Sequence, residues 1–178
     1  MTLDGFVAGV NGQLDWMLME VDLKQQEYLK GLTQSIDTII LGRKMATEAI
    51  PHWEKVAKDP HQDAEHEFAR TFVKTPKVVF TESVTAIDGA NIRIETGDLK
   101  TAVTQLKSGA GKDIIVYGGA RFAASLLEHD LVDELNLFVH PTTLGKGLTI
   151  FKNQTKLALV ASECYSNGIV LLKYQPVV

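Results

Sequence analysis

The segment Asp113-Ile114-Ile115-Val116-Tyr117-Gly118-Gly119-Ala120-Arg121-Phe122 constrains the chain more than any other. Ile114 to Tyr117 is an unbroken β-favouring run, the pattern of a short strand buried on both faces in a parallel sheet. Two glycines follow at once, and from Ala120 to Leu127 apolar residues recur at helical spacing. Strand, Gly-Gly turn and helix start outline an anion site. Glycine lets the backbone come close to a phosphate, and the free N–H groups of a first helical turn point at it. The same residues also fit a plain strand-to-helix turn that needs positive φ. A bare Gly-Gly does not separate a dinucleotide pyrophosphate seat from that turn.

The rest of the chain repeats the strand–turn–helix theme. Ile36 to Leu41 predicts a second buried strand, running straight into Gly42-Arg43-Lys44 and a helix that Pro51 ends just after Ile50. Lys77 to Phe80 predicts a third, followed by Thr81, and Asn91 to Glu95 a half-exposed one. Helices are expected over Val21 to Leu32, with Gly31 a possible stop, over Glu67 to Lys74, and from an Asp98 cap through Lys107. Lys55 to His66 reads as charged and irregular, and Thr2 to Ala8 as the end of a strand. After Leu127 the pattern changes to alternation, with strands over Leu131 to His140, Thr155 to Val160 and Ile169 to Tyr174. The last two form a hairpin around Ser166-Asn167-Gly168. The expected class is α/β, one mixed and mostly parallel sheet with helices on both faces and an antiparallel hairpin at the end. With 178 residues and no repeat or linker, residues 1–178 read as a single domain.

Charge and composition remove several function classes. A net charge of −4 without a basic run argues against nucleic acid and anionic membrane as partners. No apolar run reaches transmembrane length, and the first residues lack the pattern of a secretory signal. Cys164 is the one cysteine, so no internal disulfide forms and a reducing cytoplasm is the expected location. His52, His61 and His66 match no recognised ligand spacing and read as surface residues, with no metal site expected.

In a parallel sheet, ligands bind at the carboxyl ends of the strands. Three such ends stand out: Leu41-Gly42-Arg43-Lys44, Phe80-Thr81 and Tyr117-Gly118-Gly119. Arg43 and Lys44 suit a solvated helix start taken singly. Cations at a helix N-terminus oppose the macrodipole, however, and an anionic ligand relieves that conflict. Asp4, Asp15, Glu20 and Asp22 are ordinary loop acids or groups that hydrogen-bond a heterocycle and relay a proton. Trp16 and Trp53 either stack on a ring or fill core.

Taken in series, Leu3-Asp4-Gly5-Phe6-Val7-Ala8, Asn11-Gly12, Asp15-Trp16, Ile40-Leu41-Gly42-Arg43-Lys44, Val78-Val79-Phe80-Thr81, Val116-Tyr117-Gly118-Gly119-Ala120 and Leu131-Val132-Asp133-Glu134-Leu135 resemble the dihydrofolate reductase-like superfamily. His140-Pro141, Leu144-Gly145-Lys146-Gly147 and Phe151 are similar to the branch holding the reductase domain of the riboflavin-biosynthesis deaminase-reductase. The resemblance implies a three-layer α/β/α fold with NADPH along the carboxyl edge of the sheet, and a homodimer. It assigns cofactor phosphates to Gly42, Arg43 and Lys44, and the 2′-phosphate to Thr81. Tyr117, Gly118 and Gly119, with Ala120, Arg121 and Phe122 behind them, would meet the pyrophosphate and nicotinamide ribose. Val7 and Ala8 would line the nicotinamide, and Asp4, Trp16 and Trp53 the substrate. Asp4, Glu20 and Asp22 are the acids placed to act in catalysis, the last two close to the register of a substrate carboxylate in dihydrofolate reductases. Two positions depart from the pattern: Met45, where relatives often have Thr, and Glu82, where many have Arg. A carboxylate beside a 2′-phosphate is repulsive, which leaves NADH open as the alternative cofactor. The implied activity is hydride transfer to a small heterocyclic or sugar-like substrate of the pterin or pyrimidine class. A nucleotide-binding module without chemistry and a structural dimer are the competing readings.

Overall fold

Ile39, Ile40 and Leu41 are at most 2% exposed, and the strand that carries them organises the first half of the structure, a computed structural model that describes every residue but Met19, Val21, Thr85 and Val178. Two units emerge from the chain's contacts, Glu27–Phe122 and the pair Met1–Gln26 with Ala123–Val178.

In the first unit, β1 (Ile36–Gly42), β2 (Lys77–Phe80), β3 (Ile92–Glu95) and β4 (Asp113–Val116) form a wholly parallel sheet in the order β3-β2-β1-β4. The chain lays β1, β2 and β3 side by side, then returns to place β4 on the other flank of β1. The order therefore reverses between β1 and β4. Helix α1 (Leu23–Ser35) runs directly into β1, and Gly31 lies inside it rather than ending it. The expected start of α1 at Val21 falls outside the described residues.

Helix α2 (Arg43–Ala57) follows β1 and continues through Pro51, against the expectation that proline ends it. Proline removes one hydrogen bond, whose acceptor would be Thr47, an exposed residue that water can reach. Burial outweighs that loss. Ala46 and Ile50 are fully buried, and with Ile39, Leu41, Phe72 and Val79 they form the core of this unit. Phe72 comes from α3 (Ala64–Lys74), whose Asp63 N-cap accepts from the backbone N–H of His66. Asp98 caps α4 (Leu99–Ser108) as expected, accepting from Thr101 N–H at 2.8 Å.

The far end of α3 is closed by side chains. Pro76 has no N–H to offer the carbonyl of Phe72. Lys77, 2% exposed, takes its place: Nζ donates to the carbonyls of Phe72 at 2.8 Å, Val73 at 3.1 Å and Thr75 at 2.7 Å. Asn91, in the left-handed region at φ 56°, donates from Nδ2 to Val73 and Lys74.

In the second unit, β5 (Leu135–Val139), β6 (Leu157–Cys164) and β7 (Val170–Pro176) form an antiparallel sheet ordered β5-β7-β6. Gly168 turns the β6–β7 hairpin at φ +83°, and its N–H donates to the Tyr165 carbonyl at 3.0 Å. The α/β class and the parallel-then-antiparallel order hold. The strands form two hydrogen-bonded sheets, not one continuous mixed sheet. Thr2 to Ala8 is not a strand: Thr2 and Ala8 make isolated bridges, to His140 and Leu148. Helix α5 (Ala120–Glu128) begins after Gly119.

Candidate functional site

The carboxyl ends of β1, β2 and β4 reach one edge of the parallel sheet. Gly42 pairs in register with Phe80 on one side. On the other, Ile40 pairs with Val116, which carries Gly42 level with Gly118. These ends flank the point where strand order reverses, the usual place for a ligand in an open α/β sheet.

Phe122 holds the edge together. A Cβ at Gly42 would lie 2.9 Å from Phe122 Cβ, and one at Gly118 2.7 Å from Phe122 Cδ1. The Phe122 ring also lies 5.3 Å from that of Phe80. Glycine at 42 and 118 thus makes room for the protein's own phenylalanine. Neither Gly118 nor Gly119 has positive φ, so the plain-turn explanation loses its premise. A Cβ at Gly119 would meet nothing within 4 Å, which leaves its backbone open to close approach.

Gly42 is the N-cap of α2 and offers no side-chain cap, and the first turn holds no acid. Arg43 and Lys44 are exposed there, and among the described residues neither makes an ion pair. Unpaired cations and uncapped N–H groups at one helix start form an anion-binding set. Met45 turns inward and packs on the core, which accounts for an apolar residue at that position. Thr81 is 9% exposed, and its hydroxyl accepts from Ser83 N–H at 3.2 Å. Glu82 beside it is exposed, as are Arg121 and Lys44, while Ala120 is half-buried.

Two aromatic candidates pack against core side chains. Trp53 lies on α2, not in a loop, with its ring 4.7 Å from Phe68 in edge-on contact. Tyr117 meets Phe68 edge-on at 5.7 Å, and burial raises its phenol pKa. Both pack against the core of their unit.

In the other unit, Asp4 is a clamp. Its carboxylate accepts from Thr2 Oγ1 at 2.6 Å, Leu144 N–H at 3.1 Å and Gly145 N–H at 2.7 Å. The Thr2 hydroxyl, helped by the two amides, holds its pKa below the usual carboxylate range. Val7 N–H donates to the Leu148 carbonyl at 2.8 Å, and Leu148 N–H donates to Ala8 at 2.8 Å. Asp22 is buried. Oδ1 caps α1 through Gln25 N–H at 2.9 Å, and Oδ2 accepts from the Ser166 hydroxyl at 2.6 Å and N–H at 2.8 Å. The Ser166 hydroxyl, then the amides, bring its pKa down to about 2. Glu20 is exposed, and its carbonyl accepts from Asn167 Nδ2 at 3.0 Å. Trp16 donates from Nε1 to the Gln13 carbonyl at 3.2 Å and lies edge-on to His140 at 5.3 Å.

His140 was not singled out by the sequence as a site residue. It is 4% exposed, and Nδ1 accepts from Leu18 N–H at 3.3 Å, which leaves the ring proton on Nε2. Burial lowers its pKa, so the imidazole is neutral at ordinary pH. A histidine preceding a proline at the end of an alternating strand carries no local signal of this neighbour.

The family model described as the RibD C-terminal domain matches residues 1–171. The uncharacterized protein YyaP of Bacillus subtilis is 35% identical over 178 residues, covering 98% of this chain and 90% of that one. The riboflavin biosynthesis protein RibD of Corynebacterium ammoniagenes is 26% identical, over 84% of this chain and 43% of its own length. The solved structure of RibD from Acinetobacter baumannii superposes with a TM-score of 0.69 at 16% identity, covering 99% of this chain and 56% of that one, a likeness of fold. The chain thus spans about half the length of these two RibD proteins.

Proposed function

The chain belongs to the RibD C-terminal domain family, and from that premise we propose that residues 1–178 act as one domain, a reductase that uses NADPH on a small heterocycle of the pterin or pyrimidine class. The observation that carries the reading is the start of α2, where Arg43 and Lys44, without an ion pair among the described residues, flank amides that no side chain caps, at the reversal of strand order. This donor set fits a diphosphate. Arg43, Lys44 and the N–H groups of the first α2 turn would take its charge, and Gly119 would admit it close to the backbone. Thr81 would lie by the 2′-phosphate. NADPH, when bound, supplies the hydride. Trp16 suits the substrate better than Trp53, whose ring is committed to core packing. Asp4 and Asp22 remain carboxylates near neutral pH and use their oxygens to hold backbone in place, so their part is positioning.

Titrating NADPH while following tryptophan emission should give saturable binding. Oxidation of NADPH across a panel of pterins, flavins, pyrimidines and aldehydes should give turnover with at least one. Replacing Arg43 and Lys44 by alanine should weaken NADPH about tenfold for each lost charge-assisted contact. The melting temperature should not move, because both side chains are exposed and make no ion pair among the described residues. Binding without turnover would leave a nucleotide-holding module, and absence of binding would remove both readings.

We also propose a homodimer built on β6. Every residue of β6 after Leu157 is exposed, with Leu159 at 56% and Val160 at 50%. An apolar edge strand of this kind invites a second strand. Sedimentation should give twice the chain mass, and Leu159→Lys with Val160→Glu should shift it to monomer. A monomer in the unaltered protein sinks the idea.

A further inference from the structure

The connection between α2 and α3 brings together residues that the sequence scattered. We propose that Asp59, His61 and His66 bind a divalent transition-metal ion of the zinc type and that the ion clips this connection. One ligand atom from each of the three lies within 4.8 Å of the others. His66 Nε2 is 3.9 Å from Asp59 Oδ1, and the two imidazole rings are 5.4 Å apart with a 32° tilt. His61 Nδ1 hydrogen-bonds the same Asp59 oxygen. Zinc bonds of about 2.0–2.2 Å place tetrahedral ligands about 3.3 Å apart. Side-chain shifts on the order of 1 Å close this group around an ion.

The support behind the ligands is already built. His66 Nδ1 is 2.6 Å from Asp63 Oδ1, an arrangement in which Nδ1 donates and Nε2 is left free to ligate. The His66 side chain is only 13% exposed, so its direction is held by packing. Arg70 Nη1 donates to the His61 carbonyl at 3.1 Å and anchors the loop. Helix capping accounts for Asp63, and a surface pair accounts for Asp59 with His61. Neither requires the free nitrogen of His66 to face the same Asp59 oxygen. A cation here opposes the macrodipole of α3, but Asp63, Glu65 and Glu67 at its start offset that field. Two imidazoles and one carboxylate suit zinc, cobalt or nickel, not the all-oxygen shells of calcium and magnesium. None of these residues belongs to the proposed cofactor contacts, so the test is independent of the reductase reading.

Untagged protein, stripped with chelator, is titrated with Co²⁺ and Zn²⁺ by absorption and calorimetry. One ion per chain is expected, with a tetrahedral cobalt spectrum and a higher melting temperature in zinc. His61→Ala and His66→Ala should each weaken binding at least tenfold. Asp63→Asn keeps the helix cap and should weaken it about tenfold through the lost outer support. His52→Ala, on α2 and outside the group, should leave it unchanged. Should His66→Ala fail to fold, His61→Ala on the exposed loop decides alone. Absence of saturable binding, or equal binding in the unaltered protein and both histidine variants, overturns the site.

Discussion

Gly147→Ala is expected to destabilise the protein by about 3 kcal/mol, near the upper end of what an overpacked site costs. A Cβ at 147 would lie 2.3 Å from the Ala8 carbonyl oxygen and 3.1 Å from Phe6 Cβ and Cγ. The nearest of these atoms is backbone and cannot rotate away. It is also held on the spot: Ala8 accepts from Leu148 N–H at 2.8 Å, and Val7 donates back to Leu148 at 2.8 Å. The added methyl must break that exchange or bend one chain. Urea unfolding should show the loss as a lower midpoint with unchanged slope. Gly31→Ala is the contrast, since a Cβ there meets nothing within 4 Å and the residue lies inside α1. It should raise stability by about 0.5–1 kcal/mol. Equal midpoints for Gly147→Ala and the unaltered protein would show that the close approach is not tight.

Lys77→Met should cost a similar amount, about 3 kcal/mol, by a different route. Methionine fills the space but donates nothing, so the Phe72 and Thr75 carbonyls lose the amine and the Val73 carbonyl is left with Asn91 Nδ2. Pro76 cannot replace it. Hydrogen exchange should report fraying confined to the last turn of α3. A pH dependence follows from the burial of the amine, which pulls its pKa from 10.5 down to about 8. Between those values the unfolded chain binds more protons than the folded one, so the contribution of Lys77 to stability rises with pH across that window. The variant lacks this rise, and its deficit should widen from pH 8 to pH 10. A deficit under about 0.5 kcal/mol at every pH would mean that water reaches these carbonyls.

Where local chemistry decides, the sequence was readable. The run Lys77 to Phe80 became β2 with the same ends, and Asp98 and Ser166-Asn167-Gly168 took the cap and turn expected of them. Pro51 was misread because the local rule counts one lost hydrogen bond and not the apolar face on either side of it. That error carried Trp53 with it. Once α2 runs through position 51, Trp53 stands three residues after Ile50 on the same buried side. Tyr117 follows β4 beside Gly118, and its ring contacts with Phe68 and Phe72 are long-range packing that its place next to the glycines does not reveal. Whether strands share one sheet is a matter of long-range pairing, which no short window contains. The His61–His66 approach depends in the same way on the path of one loop.

The ring of Phe122 occupies space that side chains at two distant positions, 42 and 118, would otherwise claim. The three residues therefore share a single volume, and evolution has to treat them as a unit. A lineage that acquires alanine at 42 must shift the backbone at 122 as well as its ring, because the nearest atom is Phe122 Cβ, or survive a poorly folded ancestor. Across relatives, these positions should be inherited as a set, drifting together or not at all.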